Sequence, residues 1–172
     1  MKKIAIIGSG GAGKSTLAIT LAEQMTLPLH HLDRLYWGPN WQRAERAERG
    51  AWASLQQQLC AQESWIIDGN YFNTLDIRLA ACDTVIFLDV DRYRCIYRAV
   101  KRTLFSKPRS DMAEGCNERF DWHFIKFLWH YPTNMRPRVY DQLACFANKN
   151  IVVARSGAEA MLKIKQRQLA QG

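Results

Sequence analysis

A chain of 172 residues, 48% hydrophobic and 23% charged with five prolines, has the length and composition of one compact domain, too short for a second full core. That excludes a disordered or fibrous chain, and no apolar run approaches the ~20 residues that span a bilayer, so no membrane partner is expected. The formal charge of +8 leaves nucleic acid or a small polyanion such as a nucleotide as partner.

Met1-Lys2-Lys3-Ile4 makes a basic start, but Gly8 interrupts the apolar stretch too early for a secretory signal. Lys3-Ile4-Ala5-Ile6-Ile7 reads instead as a buried strand of a parallel sheet. Gly8-Ser9-Gly10-Gly11-Ala12-Gly13-Lys14-Ser15-Thr16 follows, a full G-x-x-x-x-G-K-[ST] motif. It opens a helix in which Ala18, Leu21, Ala22 and Met25 recur at helical spacing and which Pro28 ends. Such glycines let successive backbone N–H groups turn inward on phosphate oxygens, and the helix N-terminus adds positive partial charge. Lys14 is expected to reach the β- and γ-phosphates of ATP, Ser15 to ligate Mg²⁺ and Thr16 to reach the α-phosphate.

A second strand over residues 29–32 leads into His30-His31-Leu32-Asp33-Arg34-Leu35-Tyr36-Trp37-Gly38-Pro39-Asn40-Trp41. Ligands bind at the carboxyl ends of strands in open α/β sheets, so this is a candidate acceptor segment, about 33–62. Asp33 offers a base and Arg34 an anion anchor, while Tyr36, Trp37 and Trp41 offer flat apolar surface or pack beneath the following helix. His30 and His31 are adjacent on a strand and point to opposite faces, which argues against joint chelation of one ion. The five cysteines are odd in number and lack C-x-x-C or metal-ligand spacing, so free thiols in a reducing cytoplasm are expected.

A helix over 44–60 precedes the strand Trp65-Ile66-Ile67-Asp68, which is followed by Gly69-Asn70-Tyr71. Asp68 would hold the metal through water or cap the turn, and Arg78 is a further acceptor anchor on the same side. After a strand over 84–90, a helix over 92–104 places Arg94, Arg98 and Arg102 at i,i+4 steps on one face. They repel one another unless an anion lies against them, and a triphosphate is such an anion. Tyr93, Ile96, Tyr97, Val100 and Leu104 form a different face, expected to be core. Residues 106–118 lack apolar periodicity and read as a functional loop whose Lys107 and Arg109 would close over the nucleotide. Helices over 119–131, 134–147 and 158–169 and a strand over 150–154 complete a doubly wound parallel sheet. Phe120, Phe124, Phe127, Leu128 and Tyr131 share one helical face, read as core.

A GTPase would carry N-K-x-D, and Asn148-Lys149-Asn150-Ile151 does not match; the length argues against helicases and large motor ATPases. GSGGAGKST, HLDRLYWGPNW, WIIDGNY with Arg78 downstream, TVIFLD, the Arg94/Arg98/Arg102 helix and RSDMAEGCNE together resemble the DNA topology modulation protein family, an adenylate-kinase-like branch of P-loop kinases. The resemblance covers nearly the whole chain. It implies an α/β P-loop NTPase fold like that of the nucleoside monophosphate kinases, with a parallel five-stranded core, an acceptor segment after strand two and an arginine-bearing lid, about 105–119. Adenylate kinases usually carry D-G-F-P-R where this chain has Asp68-Gly69-Asn70-Tyr71-Phe72, a departure that argues against AMP as the acceptor.

The reading is one domain over residues 1–172, an ATP- and Mg²⁺-dependent kinase of a small molecule or nucleotide, monomeric or homodimeric. Gly8 to Thr16 and Arg109 would bind the nucleotide, and Lys14, Arg98 and Arg102 would stabilise the transferred phosphoryl group. Ser15 and Asp68 would hold Mg²⁺. Asp33, Arg34, Trp37, Asn70 and Arg78 would meet the acceptor, with Asp33 as its base. The alternatives are a nucleotide-switched DNA-binding regulator, for which no reader motif is present, and a slow ATPase.

Overall fold

The structure is a computed structural model and describes residues 1–105, 112 and 120–169, apart from the side chains of Arg46 and Arg49. Its parallel strands are β1 (Lys3–Gly8), β2 (Leu29–His31), β3 (Trp65–Asp68), β4 (Thr84–Leu88) and β5 (Asn150–Ala154), in the order β2-β3-β1-β4-β5. The helices are α1 (Lys14–Met25), α2 (Leu32–Tyr36), α3 (Arg49–Ala61), α4 (Leu75–Ala81), α5 (Arg92–Leu104), α6 (Trp122–Asn134), α7 (Arg136–Ala144) and α8 (Gly157–Leu169).

The unbroken apolar run of β1 reflects its central place, since a strand covered on both faces has no side to leave polar. The two-residue period then sorts the side chains. Ile4, Ile6, Ile66, Ile86 and Leu88 pack with Leu17, Ala18 and Leu21 of α1 and with Ala160 and Ile164 of α8. Ala5, Ile7, Trp65, Ile67, Val85 and Phe87 pack on the other side with Trp52, Leu59, Leu75, Leu79, Val139 and Leu143. Each fully buried large aliphatic or aromatic chain contributes about 1.5–3 kcal/mol. β1 has β3 on one side and β4 on the other, so the chain reverses its winding there and opens a crevice at the carboxyl end of β1. The expected α/β P-loop architecture with a five-stranded parallel sheet flanked by helices is the one observed.

Three local expectations are corrected. The apolar face of α5 is not core: Tyr93, Tyr97 and Leu104 are exposed, and the buried positions are Cys95 and Ala99. The cause is how close α5 comes to the glycine loop, where a Cβ at Gly11 would stand 2.4 Å from the Cys95 carbonyl oxygen. Only small side chains fit so near a contact between two backbones. In α6 the buried residues are Leu128 and Tyr131, while Phe120 and Phe127 are exposed. Asp121 caps that helix by accepting from the His123 and Phe124 amides at 2.8 and 3.3 Å, so Phe120 falls outside it. Finally, the strand at residues 29–32 stops at His31, and α2 begins at once. The expected lid, with Lys107 and Arg109, lies outside the described residues except for Phe105 and Met112.

The orientation of α5 is open to measurement. Ala99→Leu overpacks the buried side and should lower stability by about 1–3 kcal/mol. Tyr97→Ser on the exposed side should stay within about 0.5 kcal/mol of the parent protein. Urea unfolding midpoints at constant slope give both values, and the reverse ranking would contradict the placement.

Candidate functional site

The carboxyl ends of β1, β2 and β3 bring three segments together, and the glycine loop between β1 and α1 is the first. Gly11 and Gly13 adopt φ of 71° and 94°, a region that side chains with a Cβ rarely enter. The Lys14 ammonium donates to the Ser9 carbonyl at 3.0 Å, so it reaches back across its own loop. Arg98 of α5 donates to the Ala12 and Gly11 carbonyls at 3.2 and 3.4 Å. Two cations therefore sit against one anion-receptive turn. Arg102 lies one turn further along α5 and is half-buried, and Arg94 one turn earlier is exposed. Phe124 and Leu128 of α6 close the loop from another side, since a Cβ at Gly10 would lie 2.5 Å from the Phe124 ring.

The second segment ends β3. Asp68 is buried, and its Oδ1 lies 2.6 Å from His31 Nδ1. The alternative role of turn cap is not what the structure contains, because the carboxylate is bonded to His31 and not to the amides that follow. Ile66, two residues earlier, packs on the α1 side of the sheet. Strand alternation therefore carries Asp68 on the same side, at the end of the sheet where α1 begins with Lys14 and Ser15. Gly69 then turns the chain with φ of 141°, and a Cβ there would stand 2.7 Å from Leu32 Cβ.

Arg78 has a different place from the one expected. Fully buried, it donates to the carbonyls of Gly69, Asn70 and Tyr71 at 2.6, 3.1 and 3.3 Å. It thus holds the turn after β3 from beneath instead of presenting its guanidinium to an acceptor. Burial pulls its pKa down to about 10, which leaves it charged at neutral pH.

In the third segment Asp33 occupies the first turn of α2 and accepts a 2.8 Å bond from the Tyr71 hydroxyl. Burial, and then the nearby Asp33 charge, push the Tyr71 pKa upward, so the phenol stays a donor. Tyr36, Trp52 and Tyr71 form a cluster with ring centroids 4.8–5.2 Å apart. Trp37 stands edge-on to Tyr36 at 4.9 Å and to Trp41 at 5.9 Å. Trp52 belongs to the core, whereas Trp37, Trp41 and Asn70 are half-buried and Arg34 is exposed. Arg109 lies outside the described residues.

Two participants, His31 and Tyr71, have no signature along the chain. By sequence His31 stands out only as the neighbour of His30, and nothing along the chain shows that β2 would lie beside β3 with His31 opposite Asp68. Tyr71 follows the Asp-Gly-Asn turn without a local sign of its role, because its link to Asp33 spans 38 residues.

A divalent cation fits this donor set. Among the described residues no group of three or more His, Cys, Asp or Glu side chains could enclose a metal. Mg²⁺ keeps several waters and is bound through one or two carboxylates plus phosphate oxygens, so one buried carboxylate, Asp68, and one hydroxyl, Ser15, suit it.

No protein-family model matches the chain, and no curated protein matches it. Solved structures do resemble it. Shikimate kinase from Acinetobacter baumannii in complex with shikimate superposes with a TM-score of 0.59 at 15% identity, covering 99% of this chain and 93% of that one. Shikimate kinase from Bacteroides thetaiotaomicron gives 0.58 at 13% identity, covering 98% and 97%. Deoxyadenosine kinase from M. mycoides with bound dATP gives 0.55 at 16% identity, covering 96% and 98%. At such identities the likeness establishes a shared fold, the α/β P-loop fold. No helix among the described residues is long and apolar enough to cross a membrane.

The role of Arg78 predicts a stability effect. Arg78→Lys cannot span three carbonyls with one ammonium, and the lost charge-assisted bonds should cost about 1.5–3 kcal/mol in urea unfolding. A change below about 0.5 kcal/mol, the range of ordinary surface substitutions, would show that the turn stands without the guanidinium.

Proposed function

We propose that the protein is an ATP- and Mg²⁺-dependent kinase that transfers the γ-phosphoryl group to a hydroxyl of a small molecule. The observation that carries this reading is the pairing of Lys14 and Arg98 on the carbonyls of one glycine loop. Negative charge on a transferring phosphoryl group needs cations already in place, and a preorganised pair stabilises it without reorganising at the moment of transfer. Arg102, the next arginine on the same face of α5, extends that positive edge.

The carboxylate of Asp33 supplies the other half of the chemistry. Its proposed work is to take the proton of the acceptor hydroxyl as the new oxygen–phosphorus bond forms and the bond to the β-phosphate breaks, releasing ADP. Tyr71 leaves it oriented by one hydrogen bond. A phosphorylated acceptor arrives largely ionised and would be repelled by the same carboxylate. Arg34, Trp37 and Asn70 would line the acceptor. Ser15 and Asp68 would hold Mg²⁺, which when bound neutralises charge between the β- and γ-phosphates.

The kinases with this fold support the reading, as does the sequence resemblance to the adenylate-kinase-like branch. Arg98 bonds the carbonyls of the glycine loop, which favours a nucleotide over duplex DNA as the partner of this helix.

Incubation with γ-labelled ATP, Mg²⁺ and a panel of nucleosides, sugars, other hydroxyl metabolites and nucleoside monophosphates should label a hydroxyl compound. Lys14→Ala should abolish transfer while circular dichroism stays unchanged. Asp33→Asn should lower kcat by at least ~10²-fold with little change in the KM for ATP. Label released only as inorganic phosphate would favour the slow ATPase. Unchanged kcat in Asp33→Asn, with a nucleoside monophosphate as best acceptor, would move the protein to the nucleotide kinases.

A further inference from the structure

Asp68 presents a problem of its own. Its side chain is 4% exposed, and a buried carboxylate stays charged only when hydrogen-bonded or paired. His31, 10% exposed, answers that need at 2.6 Å. When the Asp68 carboxylate is ionised it can only accept, and His31 Nδ1 is then the donor of this bond. The two residues are also direct partners across β2 and β3, and Asp68 is in turn the partner of Ile6 on β1. Leu29, two residues before His31, packs with Ile66 on the α1 side, so His31 and Asp68 both project from the face that α1 covers. That face meets Lys14 and Ser15 where the helix starts.

We propose that His31 is a positioning residue for the divalent cation: it occupies Oδ1 of Asp68, fixes the carboxylate plane, and leaves Oδ2 as the oxygen that meets the cation's water shell. The inference rests on the kinase reading and deepens its metal side. A carboxylate held by one bond on one oxygen loses its rotational freedom before the cation arrives, so metal binding does not have to supply that ordering. Partners that orient a metal-binding group in this way typically change metal affinity by about 10–100-fold when removed.

A merely structural role, tying the edge strand β2 to β3, is the competing account, and metal-specific readouts separate the two. Mn²⁺ binding in the presence of ADP is followed by electron paramagnetic resonance for the full chain, for His31→Asn and for His31→Leu. The asparagine amide nitrogen keeps a donor near the place of Nδ1, whereas leucine keeps the bulk and removes the donor. Expected is a loss of roughly 10-fold or more in Mn²⁺ affinity for His31→Leu and near-parental affinity for His31→Asn. ADP affinity measured in EDTA should be the same in all three. Equal Mn²⁺ affinity in parent and His31→Leu overturns the proposal, and so does an ADP affinity in EDTA that falls in parallel with Mn²⁺ affinity. If His31→Leu does not fold, the imidazole N–H resonance of the parent protein decides. It should differ between the ADP complex and the Mg²⁺·ADP complex, and an unmoved resonance at saturating metal overturns the assignment. A parent protein that binds no ADP at all would remove the kinase reading itself and this inference with it. Normal metal-nucleotide binding with an indifferent His31→Leu removes only the inference.

Discussion

Backbone meets backbone at the glycine loop, and the arrangement around it follows from that contact. Any side chain at Gly11 would run into the carbonyl of Cys95, and one at Gly10 into the ring of Phe124. Helices α5 and α6 can therefore approach the loop only because it has no side chains at these points. The same closeness limits the inner side of α5 to cysteine and alanine and sets the helix at the rotation that lays Arg98 on the loop carbonyls. Anion-receptive amides and the guanidinium that faces them thus share one steric cause.

Around this centre the sheet provides two carboxylates, each held by one side chain from the neighbouring segment. Asp68 with His31 lies on the α1 side, and Asp33 with Tyr71 follows the ends of β2 and β3. Each pair joins residues more than 30 positions apart, so the geometry depends on β2 and β3 lying side by side. Gly69 and Arg78 keep the intervening turn in place, the first by admitting Leu32 against the backbone and the second by collecting three carbonyls. Loop-borne groups with such support are held in advance of a ligand, which is what phosphoryl transfer asks of a site.

How much of this was legible along the chain depended on the range of the interaction. The motif from Gly8 to Thr16 and the alternation of apolar strands with helical patterns are local, and the parallel sheet followed from them. The burial of Cys95 and Ala99 was not legible: by hydrophobicity alone Tyr93, Tyr97 and Leu104 make the better inner face, and only the 2.4 Å approach at Gly11 reverses the choice. Arg78 is legible as a cation after the Asp-Gly turn, but charge does not reveal direction, and its partners are backbone oxygens. His31 opposite Asp68 is a matter of strand register, which has no signature in either strand by itself.

The central claim is that the glycine loop, with Lys14 and Arg98 upon it, holds the polyphosphate of a nucleotide. Amide hydrogen exchange resolved to single residues tests it without knowledge of the acceptor. With a non-hydrolysable ATP analogue and Mg²⁺ at saturation, the amides of residues 10–16 should exchange more slowly, while those in the middle of α8 keep their rates. Unchanged exchange across the loop at saturating nucleotide would contradict the account.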